Sequence, residues 1–199
     1  MGDQGVLMKA VLQFTKNQWI CAALLFCFFM VLNSGFFWKQ MYPIQYEAEV
    51  VKAARKYQVD PFLILAVMKI ESDFKPNRSS SKGASGLMQL MPETAQWIKE
   101  RSGLNQSDIN QNDPQTNIMM GTWYLAFLLE KYKGEQVKAL AAYNAGQGNV
   151  DRWIETDVWD GQARTISNIP YGETRHYVKR ALFYYEQYKA IYGDHFNIK

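Results

Sequence analysis

The apolar residues divide the chain into a short N-terminal segment and a longer remainder of mixed composition. Residues 17–38 carry no charge, and residues 19–32 are apolar without interruption. About 20 apolar residues in a helix cross the hydrocarbon layer of a membrane. Trp19 and Trp38 stand where interfacial aromatic residues are expected. The pattern predicts a cytoplasmic N-terminus over 1–16, an uncleaved transmembrane helix over 17–38 and a separate domain over 39–199.

Two other interpretations fit the apolar segment less well. A cleaved signal peptide also begins with charge, here Lys9 and Lys16, and continues with an apolar run. Its cleavage site would have to be Asn33-Ser34-Gly35, which matches the small-residue pattern poorly. A buried core helix is disfavoured because the segment has no polar face. We therefore expect an anchor that stays attached to the domain.

The remainder shows helical signals throughout. Asp60-Pro61 and Asp113-Pro114 each combine an N-cap residue with proline at the first helical position. The residues after Asp60 are apolar nearly all round, which predicts a buried helix. No segment alternates apolar and polar residues over the length of a strand. The predicted fold is all-α, with helices over 44–57, 61–72, 92–97, 113–132, 136–145 and 173–192.

Composition limits the function classes. The chain has 199 residues, of which 48% are hydrophobic, and its net charge is +3. A nucleic-acid-binding domain normally carries a larger and clustered basic excess, so this class of partner is excluded. The two cysteines, Cys21 and Cys27, are too few for a disulfide scaffold or the usual zinc site. The two histidines, 176 and 195, suggest no metal site.

Glu71 is the candidate for acid chemistry. It ends the most apolar predicted helix, and burial among apolar side chains raises the pKa of a carboxyl group. The negative end of the helix dipole acts in the same direction. A carboxyl that is protonated near neutral pH suits a general acid. Position alone favours an exposed glutamate on a fraying last turn, since most glutamates are exposed.

Three further clusters combine glycine, amide and aromatic residues. They read GASGLMQLMPETA at 83–95, AAYNAG at 141–146 and IPYGETRHYV at 169–178. Glycine allows the backbone to approach a ligand closely, and tyrosine rings offer flat surfaces to sugars. Together with Ile70-Glu71-Ser72, Phe74 and Pro76, these ordered segments resemble the lytic transglycosylases with a soluble-lytic-transglycosylase (SLT, goose-lysozyme-like) domain. The resemblance covers about residues 47–190.

This resemblance implies a compact lysozyme-like helical domain that cleaves peptidoglycan glycan strands. Glu71 matches the family's catalytic glutamate, which protonates the oxygen of the β-1,4 bond between N-acetylmuramic acid and N-acetylglucosamine. It then takes the proton of the muramic C6 hydroxyl, leaving a 1,6-anhydro end. Matched substrate-binding positions are Ser80, Gln89, Met91, Tyr143, Asn144, Glu173 and Tyr177. Packing explains Met91 and Tyr177 equally well, and Glu173 could simply stabilise its own helix. No cofactor and no metal ion is implied.

The mechanism and the setting leave alternatives open. Ordinary glycosidases use a second carboxylate. Asp73 is a poor candidate for it, because residues two apart on a helix do not face each other. Glu93 and Asp151 stay possible partners of Glu71. A hydrolytic muramidase on the same fold and a non-catalytic wall-binding module are the competing functions. Because peptidoglycan lies outside the cytoplasmic membrane, a single-pass topology with 39–199 on the wall side is expected. The sequence indicates no protein partner.

Overall fold

The computed structural model describes residues 16–103, 112–193 and 195–196. The chain separates into two compact units, with the boundary between Pro43 and Ile44. The second unit is called the helical domain below. In the described ranges the regular elements are all helices, and β-structure is limited to isolated bridges from Ser85 to Ser79 and Leu90. The prediction of an all-α fold is thereby confirmed.

The N-terminal unit contains two helices, α1 (Lys16–Leu32) and α2 (Gly35–Met41). The helix is interrupted at Asn33 and Ser34. The Ser34 hydroxyl caps α2 by accepting from the Phe37 amide at 3.3 Å. The two helices are bent by 61° at this break. Among the described residues, α1 and α2 meet the length and composition for a membrane span only as this bent pair, and no single helix does. The anchor predicted over 17–38 stays a prediction.

The helical domain begins its helices largely where the sequence predicts. The Asp60 carboxylate accepts from the Phe62 amide at 2.8 Å, and the Asp113 carboxylate accepts from the Thr116 amide at 2.9 Å. Both are N-cap contacts that satisfy amides without a partner in the first turn. The elements are α3 (Glu47–Tyr57), α4 (Pro61–Glu71), α5 (Pro92–Arg101), α6 (Pro114–Lys131), α7 (Gln136–Ala145), α8 (Gln147–Glu155), a 3-10 helix (Ala163–Asn168) and α9 (Gly172–Tyr192).

Helix α4 is the central element of the core. Its residues 61–68 are all buried, as its apolar sequence predicts. It packs against α3 and α9, and α7 packs against α6, α8 and α9. Glu71 is the last residue of α4, so the helix leaves the core at the position of the candidate acid.

Helix α8 and the 3-10 helix lie in a region for which no helix was predicted. Gly146 ends α7 with φ of 86°, and α8 follows at once. A positive φ is accessible to glycine without steric cost, so one residue suffices to redirect the chain between two helices. Val150 and Trp153 form the buried side of α8. Their spacing of three is a helical signal that the Gly-rich surroundings obscured.

Candidate active site

Glu71 lies in a cleft formed by two adjoining cavities of about 510 and 330 Å³. It is half-buried, with its exposed part at the cleft wall. All eight residues that the sequence singled out line this cleft. Five of them line both cavities: Glu71, Ser80, Gln89, Asn144 and Glu173. Tyr177 lines the larger cavity, and Met91 and Tyr143 line the smaller one.

The surroundings of Glu71 keep its carboxyl group partly protonated at neutral pH. Burial raises the pKa of Glu71 to about 7, because the charged form loses solvation. The Tyr177 hydroxyl and the Arg78 guanidinium lower this pKa, and the Glu173 carboxylate raises it. A group with its pKa near 7 is able both to give and to accept a proton.

The segment between α4 and α5 has a strained, left-handed backbone conformation near both of its ends. Asp73 and Phe74 follow α4 with φ of 53° and 60°, and Gln89 near the end of the segment has φ of 45°. Residues other than glycine rarely adopt this left-handed region. Such conformations persist where the surrounding structure imposes them, and they often occur at functional sites.

Asn117 of α6 fixes the middle of this segment from inside the core. Its side chain is fully buried, donates to the Ser85 carbonyl at 3.1 Å and accepts from the Met88 amide at 2.7 Å. Gly86 lies between these two contacts with φ of 81°, and a Cβ there would overlap the Asn117 amide. Asn117 has no recognisable signal in the sequence, because its partners lie about 30 residues away along the chain.

Two hydroxyl groups, one directly after α4 and one on α7, hold the same segment. Ser72, directly after Glu71, donates to the Leu87 carbonyl at 2.8 Å. The Tyr143 hydroxyl of α7 donates to the Met88 carbonyl at 2.9 Å. The next residue is Gln89, so the cleft-lining amide follows backbone that α4, α6 and α7 hold through side chains.

Gln89 and Ser80 also make contacts within the segment. The Gln89 amide nitrogen donates to the Arg78 and Gly86 carbonyls at 2.9 and 2.8 Å. These two bonds use both amide protons and leave the side-chain oxygen to accept from a ligand. The Ser80 hydroxyl accepts from the Ala84 amide at 3.0 Å. Both residues therefore have a structural role as well as a place at the cleft wall.

Helix α9 contributes one face to the cleft. Glu173, His176, Tyr177 and Arg180 follow a spacing of three, one and three, which places them on the same side of a helix. The Tyr177 side chain is buried, and its hydroxyl has no hydrogen-bond partner of ordinary geometry in the described structure. The helical spacing from Glu173 to Arg180 is the sequence signal from which Arg180 could have been predicted to line the cleft.

The three carboxylates considered as partners of Glu71 lie outside the residues that line the cleft. Asp73 is exposed and forms an ion pair with Lys69 at 2.6 Å. Asp151 accepts from the Tyr132 hydroxyl at 2.9 Å. Glu93 lies exposed in the first turn of α5. Among the described residues lining the cleft, Glu173 is the one carboxylate besides Glu71.

No cluster of three or more histidine, cysteine, aspartate or glutamate residues that could hold a metal ion occurs within the described ranges. The polar groups at the cleft are amides, hydroxyls, the two carboxyl groups and cationic side chains. This set is suited to binding a polar, uncharged chain by hydrogen bonds and to moving a proton at Glu71.

Similarity to known proteins agrees with this geometry. Residues 49–166 match the transglycosylase SLT domain, and the chain belongs to that family. It is 34% identical over 159 residues to the soluble lytic murein transglycosylase of Escherichia coli, covering 78% of this chain and 25% of that protein. It is 33% identical to the membrane-bound lytic murein transglycosylase C of Actinobacillus pleuropneumoniae, covering 74% of this chain and 46% of that protein.

Solved structures show the same fold. The crystal structure of the 70 kDa soluble lytic transglycosylase from Escherichia coli superposes with a TM-score of 0.73 at 34% identity, covering 79% of this chain and 26% of that one. An inactive variant of a Pseudomonas aeruginosa lytic transglycosylase gives a TM-score of 0.68 at 34% identity, covering 80% of this chain and 26% of that one. The chain thus spans about a quarter of the length of its soluble relatives.

Proposed function

We propose that the helical domain is a peptidoglycan lytic transglycosylase that uses Glu71 as its single catalytic carboxyl group. The observation that carries this proposal is the Glu71 carboxyl at the end of a buried helix, in a polar cleft and with a pKa of about 7. Membership of the SLT family and two relatives named as lytic murein transglycosylases support it.

The reaction needs one group that first gives and then takes a proton. Protonated Glu71 donates to the oxygen between N-acetylmuramic acid and N-acetylglucosamine as the bond from muramic C1 breaks. The resulting carboxylate accepts the proton of the muramic C6 hydroxyl, whose oxygen forms the new bond to C1. The products are a free N-acetylglucosamine end and a 1,6-anhydromuramic end, and no water is consumed. A pKa near 7 suits both steps.

The other cleft residues are proposed to bind and orient the glycan. Asn144, Gln89 and Ser80 supply hydrogen-bonding groups on both sides of Glu71. Tyr143 and Met91 give the smaller cavity an apolar wall, and flat aromatic surfaces of this kind suit sugar rings. Glu173 binds sugar hydroxyls, and Tyr177 forms the base of the larger cavity beside Glu71.

A hydrolytic muramidase is the second candidate, and the presence of Glu173 in the cleft favours it. Hydrolytic glycosidases place a second carboxylate across the scissile bond, either to activate water or to attack the sugar. Glu173 is the carboxylate that lines both cavities with Glu71. The two functions differ in their products and in their need for Glu173.

We also propose that α1 and α2 anchor the domain to the cytoplasmic membrane as a single pass, with the domain on the wall side. The uncharged segment 17–38 supports this, and one relative is named membrane-bound. A reporter fused after Lys199 should be active only outside the cytoplasm. Activity only in the cytoplasm would refute this topology.

The deciding experiment is digestion of purified peptidoglycan by the full chain in detergent, with mass analysis of the released fragments. Ends that are one water lighter than reducing ends are expected from the wild type and should disappear with Glu71→Gln. The relative from Pseudomonas aeruginosa is described as inactive after a glutamate-to-glutamine change. Glu93→Gln, an exposed carboxylate outside the cleft, is the matched control and should retain activity.

Other products would point to another function. Reducing ends that disappear with Glu173→Gln as well as with Glu71→Gln would establish the muramidase. Binding of peptidoglycan without any released fragment would support a wall-binding module and refute catalysis.

A further inference from the structure

Three large aromatic residues form a cluster at the surface of the helical domain, where α5 packs on α6. The ring of Trp97 on α5 lies 5.5 Å from that of Trp123 and 5.0 Å from that of Phe127, both on α6. All three residues are half-buried, so each keeps part of its surface in contact with solvent. None of them is among the described residues that line the cleft. We call these three residues the aromatic cluster.

The buried sides of α5 and α6 are formed by other residues. Ile98 on α5 and Leu125 and Leu128 on α6 are fully buried. The aromatic cluster lies at the edge of this contact, and its rings retain apolar surface that only a ligand would remove from water. Flat aromatic surfaces of this kind suit the faces of sugar rings.

The orientation of the rings favours a ligand with several flat units. Trp123 and Phe127 are one turn apart on the same side of α6, and their rings are nearly parallel, at an angle of 13°. Their faces therefore have the same orientation. The Arg101 guanidinium lies 5.3 Å from the centre of the Trp97 ring and places hydrogen-bond donors beside the aromatic surface. An apolar surface with a few polar groups next to it is typical of sites that bind small or flat polar units.

The aromatic cluster is connected to the smaller cavity of the cleft in two ways. Met91 lines that cavity and is the N-cap of α5, and Trp97 lies six residues further along, about 9 Å along the helix axis. The ring of Tyr143, which lines the same cavity, lies 5.4 Å from that of the buried Tyr124. The Tyr124 ring in turn lies 6.0 Å from that of Trp97. A glycan strand that leaves the smaller cavity along α5 would therefore reach the cluster.

We infer that Trp97, Trp123 and Phe127 bind sugar rings of the same glycan strand that occupies the cleft, at a second site outside the two cavities. The inference rests on the proposed function, because a polymeric sugar substrate is the ligand that can occupy both places at once. It gives the enzyme a preference for long strands over short ones.

The test compares substrates of different length. The short substrate is the peptidoglycan tetrasaccharide with a single bond from N-acetylmuramic acid to N-acetylglucosamine, and the long one is a strand several disaccharide units longer. For the full chain in detergent, kcat/KM per scissile bond should be roughly three- to tenfold higher on the long strand, as expected for added contacts with aromatic rings. In the double variant Trp97→Leu/Trp123→Leu this ratio should fall to near one.

A matched control is Trp38→Leu, which removes an exposed tryptophan of the N-terminal unit and should keep the wild-type ratio. The single variant Trp123→Leu should lower the ratio partly, and it keeps the test open if the double variant does not fold. Equal loss on both substrates would mean that the cluster only supports the fold. That result, or an unchanged ratio, would overturn the inference.

A second measurement leaves the aromatic cluster intact. In Glu71→Gln, which should bind strands without cutting them, oxidative footprinting with mass analysis reports how accessible each aromatic ring is. Long strands should protect Trp97 and Trp123 from oxidation, and the tetrasaccharide should not. Equal protection by both, or by neither, would overturn the inference. A wild type that cuts no substrate would refute the proposed function instead, so the two failures are distinguishable.

Discussion

The Thr174 hydroxyl donates a hydrogen bond of 2.7 Å to the side-chain oxygen of Asn144. Thr174 is buried in the first turn of α9, and Asn144 lies at the end of α7. The contact directs the Asn144 oxygen toward α9, which leaves the amide nitrogen to donate to a ligand in the cleft. Two segments that are 30 residues apart in the chain are joined here at the candidate site.

Removing this contact should weaken activity more than stability. Thr174→Val keeps the side-chain shape but leaves Asn144 without its partner, so we expect kcat/KM on peptidoglycan to fall about three- to tenfold, as expected for roughly 0.5–1.5 kcal/mol. Thr174→Ser keeps the hydroxyl and should restore most of the activity. If Thr174→Val cleaved as fast as the wild type, Asn144 would not need this orientation.

The rate should depend on pH through Glu71. Donation to the glycosidic oxygen requires the protonated form, and the pKa of Glu71 is about 7. We expect kcat/KM to fall about tenfold between about pH 6 and about pH 8, as a single group loses its proton. A pH–rate profile checks this. A profile that already declines near pH 4.5, the usual range of a glutamate, would contradict the assignment.

Tyr177→Phe should move that profile to higher pH. The Tyr177 hydroxyl lowers the pKa of Glu71, so its removal should raise the pKa and displace the alkaline limb upward. Tyr185→Phe is a control on the same helix, because the Tyr185 hydroxyl donates to Asp60 instead. An alkaline limb in the same position as the wild type would mean that Tyr177 only packs in the core.

Glu71 should also make the protein less stable at alkaline pH. Its folded-state pKa of about 7 exceeds the reference value of 4.5. The free energy of unfolding is therefore undiminished by Glu71 below about pH 4.5 and declines as the pH rises through 7, where the buried carboxyl group becomes charged. Glu71→Gln removes this dependence. At about pH 8 its free energy of unfolding should exceed that of the wild type by up to about 3 kcal/mol, with no difference near pH 4. Denaturant unfolding at both pH values measures this.

Gly86 and Asn117 should show strong coupling in a double-mutant cycle. Asn117→Ala leaves the buried Met88 amide unsatisfied and should cost about 1–3 kcal/mol of stability, whereas the Ser85 carbonyl still accepts from the Leu90 amide. Gly86→Ala adds the overlap with the Asn117 amide and a strained positive φ. In the Asn117→Ala background only the φ strain remains, so the second substitution should cost less. Fully additive free energies of unfolding would show that the contact has no effect.

The sequence was most informative where local chemistry decides the structure. Asp60 and Asp113 each precede a proline, and both cap a helix as predicted. The unbroken apolar character of α4 predicted its burial and placed Glu71 at the edge of the core. Recognition of the four motifs singled out residues that all line one cleft.

Contacts between distant parts of the chain were not predictable in the same way. Asn117 lies on α6 and Ser72 directly follows α4, and nothing near these polar residues in sequence indicates a buried partner. Their hydrogen bonds exist only because α4, α6 and the segment over 72–91 fold against each other. Helix α8 was missed for the opposite reason, since a local glycine signal outweighed its weak apolar pattern.

The anchoring of residues 85–88 by Ser72, Asn117 and Tyr143 has a consequence for folding. The backbone that leads to Gln89 depends on three different helices, so its shape is established only when all three are in contact. A chain in which any of these helices has detached has no assembled cleft. The capacity to cut a glycan strand should therefore appear in one step with completion of the core, and partly folded molecules should be harmless to the wall.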